Sequence, residues 1–268
     1  MTELDAYSEQ MVGIIRANCH DEPLTARLVR QLTRESLGQG AFLLACAERI
    51  VSSIETSRRV WRNPPLLNLN DPPVVIRVFY WPAGRENTPH LHNAWTVTGV
   101  LHNEIVVETF RDAKTVPDAA TPAEPATIVA RAGETGYLLP PCVHRLRNLS
   151  QTDSATFHVF SKEEPHENVA VDSSHGALGG LTPGSAGVRR SALRVVIGLL
   201  TRARGQSAVD LLQRIFALAD APVRLQVVKA LLSLDIRLAY EKSRELEATL
   251  QGRDKEALSR INAALAAA

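Results

Sequence analysis

Between residues 74 and 160 the chain is cut into short β-prone runs by turn residues, and this texture limits the fold more than anything else in it. Val74-Val75-Ile76-Arg77-Val78-Phe79-Tyr80-Trp81 is a β-branched and aromatic run that opens just after Asn-Pro-Pro and Asp-Pro-Pro punctuation. Thr96–Leu101, Ile105–Phe110, Thr127–Ala130, Gly136–Leu139 and Ala155–Phe160 follow, with turn signals between them. Short strands repeated over about a hundred residues predict a sandwich or barrel.

Both flanks carry helical periodicity instead. Before the strands, Leu28, Val29, Leu32 and Leu37 recur at helical spacing, as do Ala41, Leu44, Ala45, Ile50, Val51 and Ile54. After them, one apolar stripe runs through Ala192, Val195, Val196, Leu199 and Leu200. A second holds Ala208, Leu211, Leu212, Ile215 and Leu218, and a third Val223, Val227, Ala230, Leu231 and Leu234. The stripes resemble HEAT-type helical repeats, and a four-helix bundle fits them equally well. Lys162–Gly187 is polar, Gly/Ser/Pro-rich and without period, which reads as a linker. The expected division is therefore an N-terminal helical segment at 1–58, a β domain at 59–162, a linker at 163–187 and a C-terminal helical domain at 188–268.

Composition excludes some classes. The net charge is +1, so the whole chain is not an electrostatic match for nucleic acid or an anionic membrane. The first twenty residues lack a basic start leading into an apolar run, and no apolar stretch approaches the roughly eighteen residues of a membrane span. Three scattered cysteines, Cys19, Cys46 and Cys142, do not make a disulfide framework, and a reducing cytoplasm is the expected location. From Val188 onward fourteen Lys/Arg face eight Asp/Glu. That excess suits docking onto an acidic partner, onto a second copy or onto the chain's own N-terminal part. Its strongest spots, Arg189-Arg190 and Arg202-Ala203-Arg204, come without interleaved aromatics or a nucleic-acid motif.

The chemistry lies in His90-Leu91-His92 and in His144, which ends Pro140-Pro141-Cys142-Val143-His144. On a strand, positions 90 and 92 share a face with side-chain origins ~6–7 Å apart. Two imidazoles so placed can lean onto one cation, and a third from a neighbouring strand completes a facial set. Such a set leaves about half an octahedral shell open for substrate and oxygen.

Gly84, His90 and His92 match the opening of the first cupin motif, and Gly133, Pro141, His144 and Asn148 follow the second. Over residues 74–160 the chain thus resembles the cupin family, which implies a jelly-roll-like β-barrel. Where many cupins place a glutamate ligand, this chain has Thr96 and Val97, which narrows the resemblance to three-histidine iron sites. The run from His90 to Leu101 is similar to thiol dioxygenases of the cysteine dioxygenase and 3-mercaptopropionate dioxygenase type. That resemblance implies Fe(II) on His90, His92 and His144, dioxygen as co-substrate, and oxidation of a small thiol or related carboxylate-bearing substrate.

Further roles follow from the resemblance alone. The family's Ser-x-His-x-Tyr row reads here Thr156-Phe157-His158-Val159-Phe160, which assigns Thr156 and His158 catalytic roles and removes the phenol at Phe160. The plain alternative for His158 is a core histidine bonded to Thr156. Arg62 lies near where cysteine dioxygenases hold a carboxylate-binding arginine, and Trp95 where the mercaptopropionate-type enzymes have tryptophan, so both are expected at the substrate. A surface cation and a core aromatic are their ordinary readings. Arg77, Arg145 and Arg147 are other guanidinium groups near the motifs, and Cys142 stands two residues before a ligand. Two further functions stay open: a non-catalytic metal or small-molecule-binding cupin acting through its helical tail, and an oxygenase of a non-thiol substrate at the same site.

Overall fold

The computed structural model describes residues 1–57, 60–92, 94–110, 125–161, 186–247 and 252–266. Three helices come first: α1 (Glu3–Ala17), α2 (Glu22–Leu37) and α3 (Gly40–Glu55). Thr2 and Asp5 close a capping box at the start of α1, and Asp21 caps α2 ahead of Pro23. Eight strands follow: β1 (Leu67–Asn70), β2 (Pro73–Trp81), β3 (Thr96–His102), β4 (Glu104–Phe110), β5 (Ala126–Arg131), β6 (Thr135–Leu138), β7 (Val143–Arg147) and β8 (Ser154–Phe160). Five helices end the described chain: α4 (Ala186–Ala203), α5 (Gln206–Leu218), α6 (Ala221–Leu231), α7 (Ile236–Glu247) and α8 (Gly252–Ala266). Most of the expected linker lies outside the described residues, and its last two positions already belong to α4.

The strands form two antiparallel sheets, ordered β1-β2-β8-β3-β6 and β5-β4-β7. The motif segment completes the smaller one. Glu86 bridges to Arg147, and His90 and His144 exchange both backbone hydrogen bonds at 2.9 Å. The order β2-β8-β3-β6 therefore faces segment 86–90, β7, β4 and β5, which is the jelly-roll arrangement of a cupin-like barrel with helices before and after it. Gly84 and Gly133 both have positive φ, at 72° and 92°. Each sits in a tight turn, where a side chain would be strained.

Alternation in the large sheet separates two cores. Outward, Ile76, Val78, Tyr80, Val97, Leu101, Phe157 and Val159 join one continuous apolar cluster with the helices. Tyr7, Phe42 and Phe157 pack there with ring centroids 5.3–5.8 Å apart, tying α1 and α3 to β8. Inward, Trp81, Val100, Ile105 and Leu146 form a smaller cluster supported by Phe79, Val107 and Ala130.

The C-terminal helices share the outer cluster rather than a core of their own, since Leu193, Leu212, Leu231 and Leu258 all belong to it. Arg202 donates to the carbonyls of Leu101 (2.9 Å) and Leu37 (3.3 Å), and Arg214 pairs with Glu48 and Glu55 of α3. Arg189 bonds the Leu218 carbonyl and Arg190 pairs with Asp220. Much of the basic excess is thus used inside the chain. No helix among the described residues is long and apolar enough to cross a membrane.

Candidate metal centre

The ladder between segment 86–90 and β7 sets the site. A pair that exchanges both backbone bonds holds its Cα atoms ~5.5 Å apart with side chains on one face. His90 and His144 are such a pair, and their ring centroids are 4.3 Å apart. His92 adds a third ring at 5.0 Å from each. One ring nitrogen from each of the three lies within 4.8 Å of the others, with no carboxylate or thiol in the group. Bonds of ~2 Å need ligand nitrogens about 3 Å apart, so modest rotation of the imidazoles brings the set together. The donor set fits a divalent transition metal.

Two of the rings are oriented from behind. His90 Nδ1 lies 3.0 Å from the Thr88 carbonyl and 3.4 Å from Asn87 Nδ2, and Asn87 is itself fixed by the Leu146 amide at 2.7 Å. His144 Nδ1 lies 3.5 Å from the Cys142 carbonyl. Carbonyls facing Nδ1 favour the Nδ1–H tautomer and leave Nε2 lone pairs for a cation. Burial, then the neighbouring His90 and His92, push the His144 pKa well below its ordinary value. A neutral imidazole is the ligand form.

Asn148, the last motif residue, is structural. Its Nδ2 donates to the Trp81 and Thr152 carbonyls at 2.7 and 2.8 Å, and its Oδ1 accepts from the Ser150 amide and hydroxyl. It knots the β7–β8 turn to the end of β2.

On the inner face of the large sheet, Trp81 Nε1–H donates to Thr156 Oγ1 (2.8 Å), which lies 2.7 Å from His158 Nε2, while His158 Nδ1 lies 3.1 Å from Thr98 Oγ1. Both His158 nitrogens are therefore engaged within the wall. Burial above all, then His92 and His90, lower its pKa to about 3. The Phe160 ring stacks on His158 and also meets His92, with both centroids 5.6 Å away. Thr96 pairs with Phe160 across the sheet and is 1% exposed. Its hydroxyl has no hydrogen-bond partner among the described residues.

Two residues expected at the substrate sit elsewhere. Trp95 is buried in the outer cluster, because the alternation that turns Thr96 inward turns its neighbour toward the helices. Arg62 is exposed, between Trp61, which packs on outward-facing Tyr80, and Asn63, which bonds the Val78 carbonyl. Arg145 and Arg147 point to the outer face of the small sheet, where both bind buried Glu108 and Arg147 also binds Glu86. Burial alone would raise the Glu108 carboxyl, but hydrogen bonds from Arg145 and then Arg147 hold it below its ordinary value. Arg77 differs from these. It pairs in register with His158 and shares the inward face of Phe79, whose ring meets His158 at 4.9 Å. The Cys142 thiol points to the Val143 carbonyl, and burial raises its pKa.

Asn87, Thr98 and Trp81 are site residues that sequence reasoning missed. Thr98 has a usable signal, standing two residues after Thr96 on the same face. Asn87 and Trp81 depend on long-range register and have none.

A cleft of ≈470 Å³ reaches His144 from the side of the barrel, lined also by Thr98, Ile105, Val107, Ile128 and Leu138.

No protein-family model matches the chain, and no curated protein matches it. Solved structures do. Oxalate oxidase in complex with the substrate analogue glycolate is 22% identical over 34% of this chain and 43% of its own, with a TM-score of 0.29. A Bacillus subtilis oxalate decarboxylase described by its Mn(II) centres is 13% identical over 36% of this chain and 23% of its own, with a TM-score of 0.30. The chain spans less than half the length of either.

Proposed function

We propose that this protein is a non-haem iron oxygenase that oxidises a thiol or a related anionic substrate with dioxygen. The observation that carries the reading is the convergence of three imidazoles with no carboxylate among them. A ligand set without charge leaves the full positive charge of Fe(II) to an incoming anion, and thiols coordinate as thiolates. Fe(II) held by His90, His92 and His144 would supply a redox-active Lewis acid with open positions for substrate and oxygen.

The chain's own residues divide the remaining work. Arg77, on the inward face in register with His158, would give a substrate carboxylate a guanidinium fork. The Thr96 hydroxyl, buried next to Phe160 and without a partner among the described residues, would offer the hydrogen bond that the missing phenol would have made. The Trp81–Thr156–His158–Thr98 row holds a neutral imidazole against the site.

Metal analysis and oxygen uptake with a thiol panel test the proposal. One iron per chain and thiol-dependent uptake are expected, both lost in His92→Ala and His144→Ala. A second reading has its own support, since Phe160 replaces the phenol and both His158 nitrogens are engaged. It makes the protein a metal-binding cupin without turnover. Iron-loaded protein that consumes no oxygen with any thiol or carbon acid would put that reading ahead.

A further inference from the structure

The cleft at His144 is larger and more apolar than an amino-acid-sized thiol requires. It opens where the two sheets part: among the described residues β5 pairs with β4 and β6 with β3, and the two edges are not paired with each other. Val100, Ile105 and Val107 line its depth and Ile128, Val129 and Leu138 its mouth. Ile128, in register with inward-facing Val107, is 61% exposed, and its aliphatic side chain flanks an entrance that leads to a buried imidazole. Among the described lining residues the charged ones, Arg34 and Glu134, are both exposed, and Thr98 already bonds His158, so the buried depth of the cleft is mainly aliphatic. Clefts of about 300–1,000 Å³ with aliphatic walls and a few polar groups at one end enclose molecules well beyond amino-acid size.

We infer that the substrate has an apolar body of several carbons that lies between β5 and β6, with its reacting group at the His144 end. This rests on the metal-centre reading for the identity of the reacting end, and on the cleft alone for the body.

Straight-chain monocarboxylates from acetate to octanoate serve as probes, titrated calorimetrically into metal-free and Zn(II)-loaded protein. In both forms affinity should rise about three- to fourfold per added methylene until the cleft is filled, the increment for burying a CH₂ group. Val107→Trp blocks the depth, and Ile128→Ser strips apolar surface from the exposed mouth, where folding is not at risk. Each should cut the octanoate-to-acetate affinity ratio at least about tenfold, because less of the chain then leaves water. Affinity independent of chain length, or a ratio unchanged in Ile128→Ser, overturns the inference. The two readings fail separately: a chain-length slope in metal-free protein that binds no metal keeps the cleft and removes the metal centre, and the reverse result does the opposite.

Discussion

The two sheets of the barrel divide stability from chemistry. The large sheet lies under helices from both flanks on its outer side, and Phe157 on β8 is fully buried in a cluster that runs from Leu4 to Leu258. Among the described residues the small sheet has no such cover on β5, whose residues are mostly exposed. Yet the small sheet supplies two of the three imidazoles, through the backbone pair of His90 and His144. The candidate metal ligands depend on local register more than on burial depth, whereas folding depends on the helical face.

The sharpest test sets one residue from each sheet against the other. His144→Ala should abolish stoichiometric metal binding, read by elemental analysis, and change denaturant stability little. Phe157→Ala should do the reverse, costing about 3–5 kcal/mol of stability with one metal still bound per chain. If the first variant unfolds or the second loses its metal, the division fails.

Thr156→Val examines the inner wall of the large sheet. It strips the partner from the Trp81 indole N–H and from His158 Nε2 together. Two buried polar groups left unpaired cost about 2–6 kcal/mol, measurable by urea unfolding, and a loss below about 1 kcal/mol would show the row to be loosely held.

Acid probes the same wall without mutation. The folded His158 value of about 3 lies below the ordinary 6.5, so between those limits the unfolded chain binds the extra proton. Metal-free protein should therefore hold its full His158 contribution above about pH 6.5 and lose it progressively toward pH 3. His158→Phe should flatten that slope when unfolding is followed as a function of pH, and an unchanged slope would assign it to other groups.

The smallest effects belong to the outer face of the small sheet. Glu108→Gln removes the negative charge and one of the two acceptor oxygens that Arg145 and Arg147 share, and with those arginines 27% and 29% exposed the loss should be about 1–2 kcal/mol. Asp71→Asn, breaking a pair with Arg16 that is 59% and 88% exposed, should fall below about 0.5 kcal/mol in the same assay. Equal effects would mean that shielding by the small sheet does not matter.

Much of this architecture is legible in the residues, and the reasons differ by element. The strands β2, β3, β4, β5, β6 and β8 stand out because period-two patterning and turn residues are local signals. His90 and His92 stand out because a shared face at i and i+2 is a local rule, and His144 because its motif surrounds it. β1 and β7 do not read as strands: Leu67–Asn70 is only four residues long, and β7 is five residues with an arginine on either side of its one leucine. Amphipathic stripes after Val188 give helices but cannot say that their partners are α3 and the large sheet. Arg62 and Trp95 show the limit of sequence offset, since the strand pleat and the loop path decide where they point.

Strand β7 carries one more implication. Along it, ligand and anchor alternate residue by residue: His144 and Leu146 turn into the barrel, Arg145 and Arg147 away from it toward Glu108. A slip of one position would swap imidazole for guanidinium at the candidate metal site and bury an arginine against aliphatic neighbours. The exterior ion cluster thus works as a latch on alignment, so that charges on the outside guard the identity of what faces the three-histidine site.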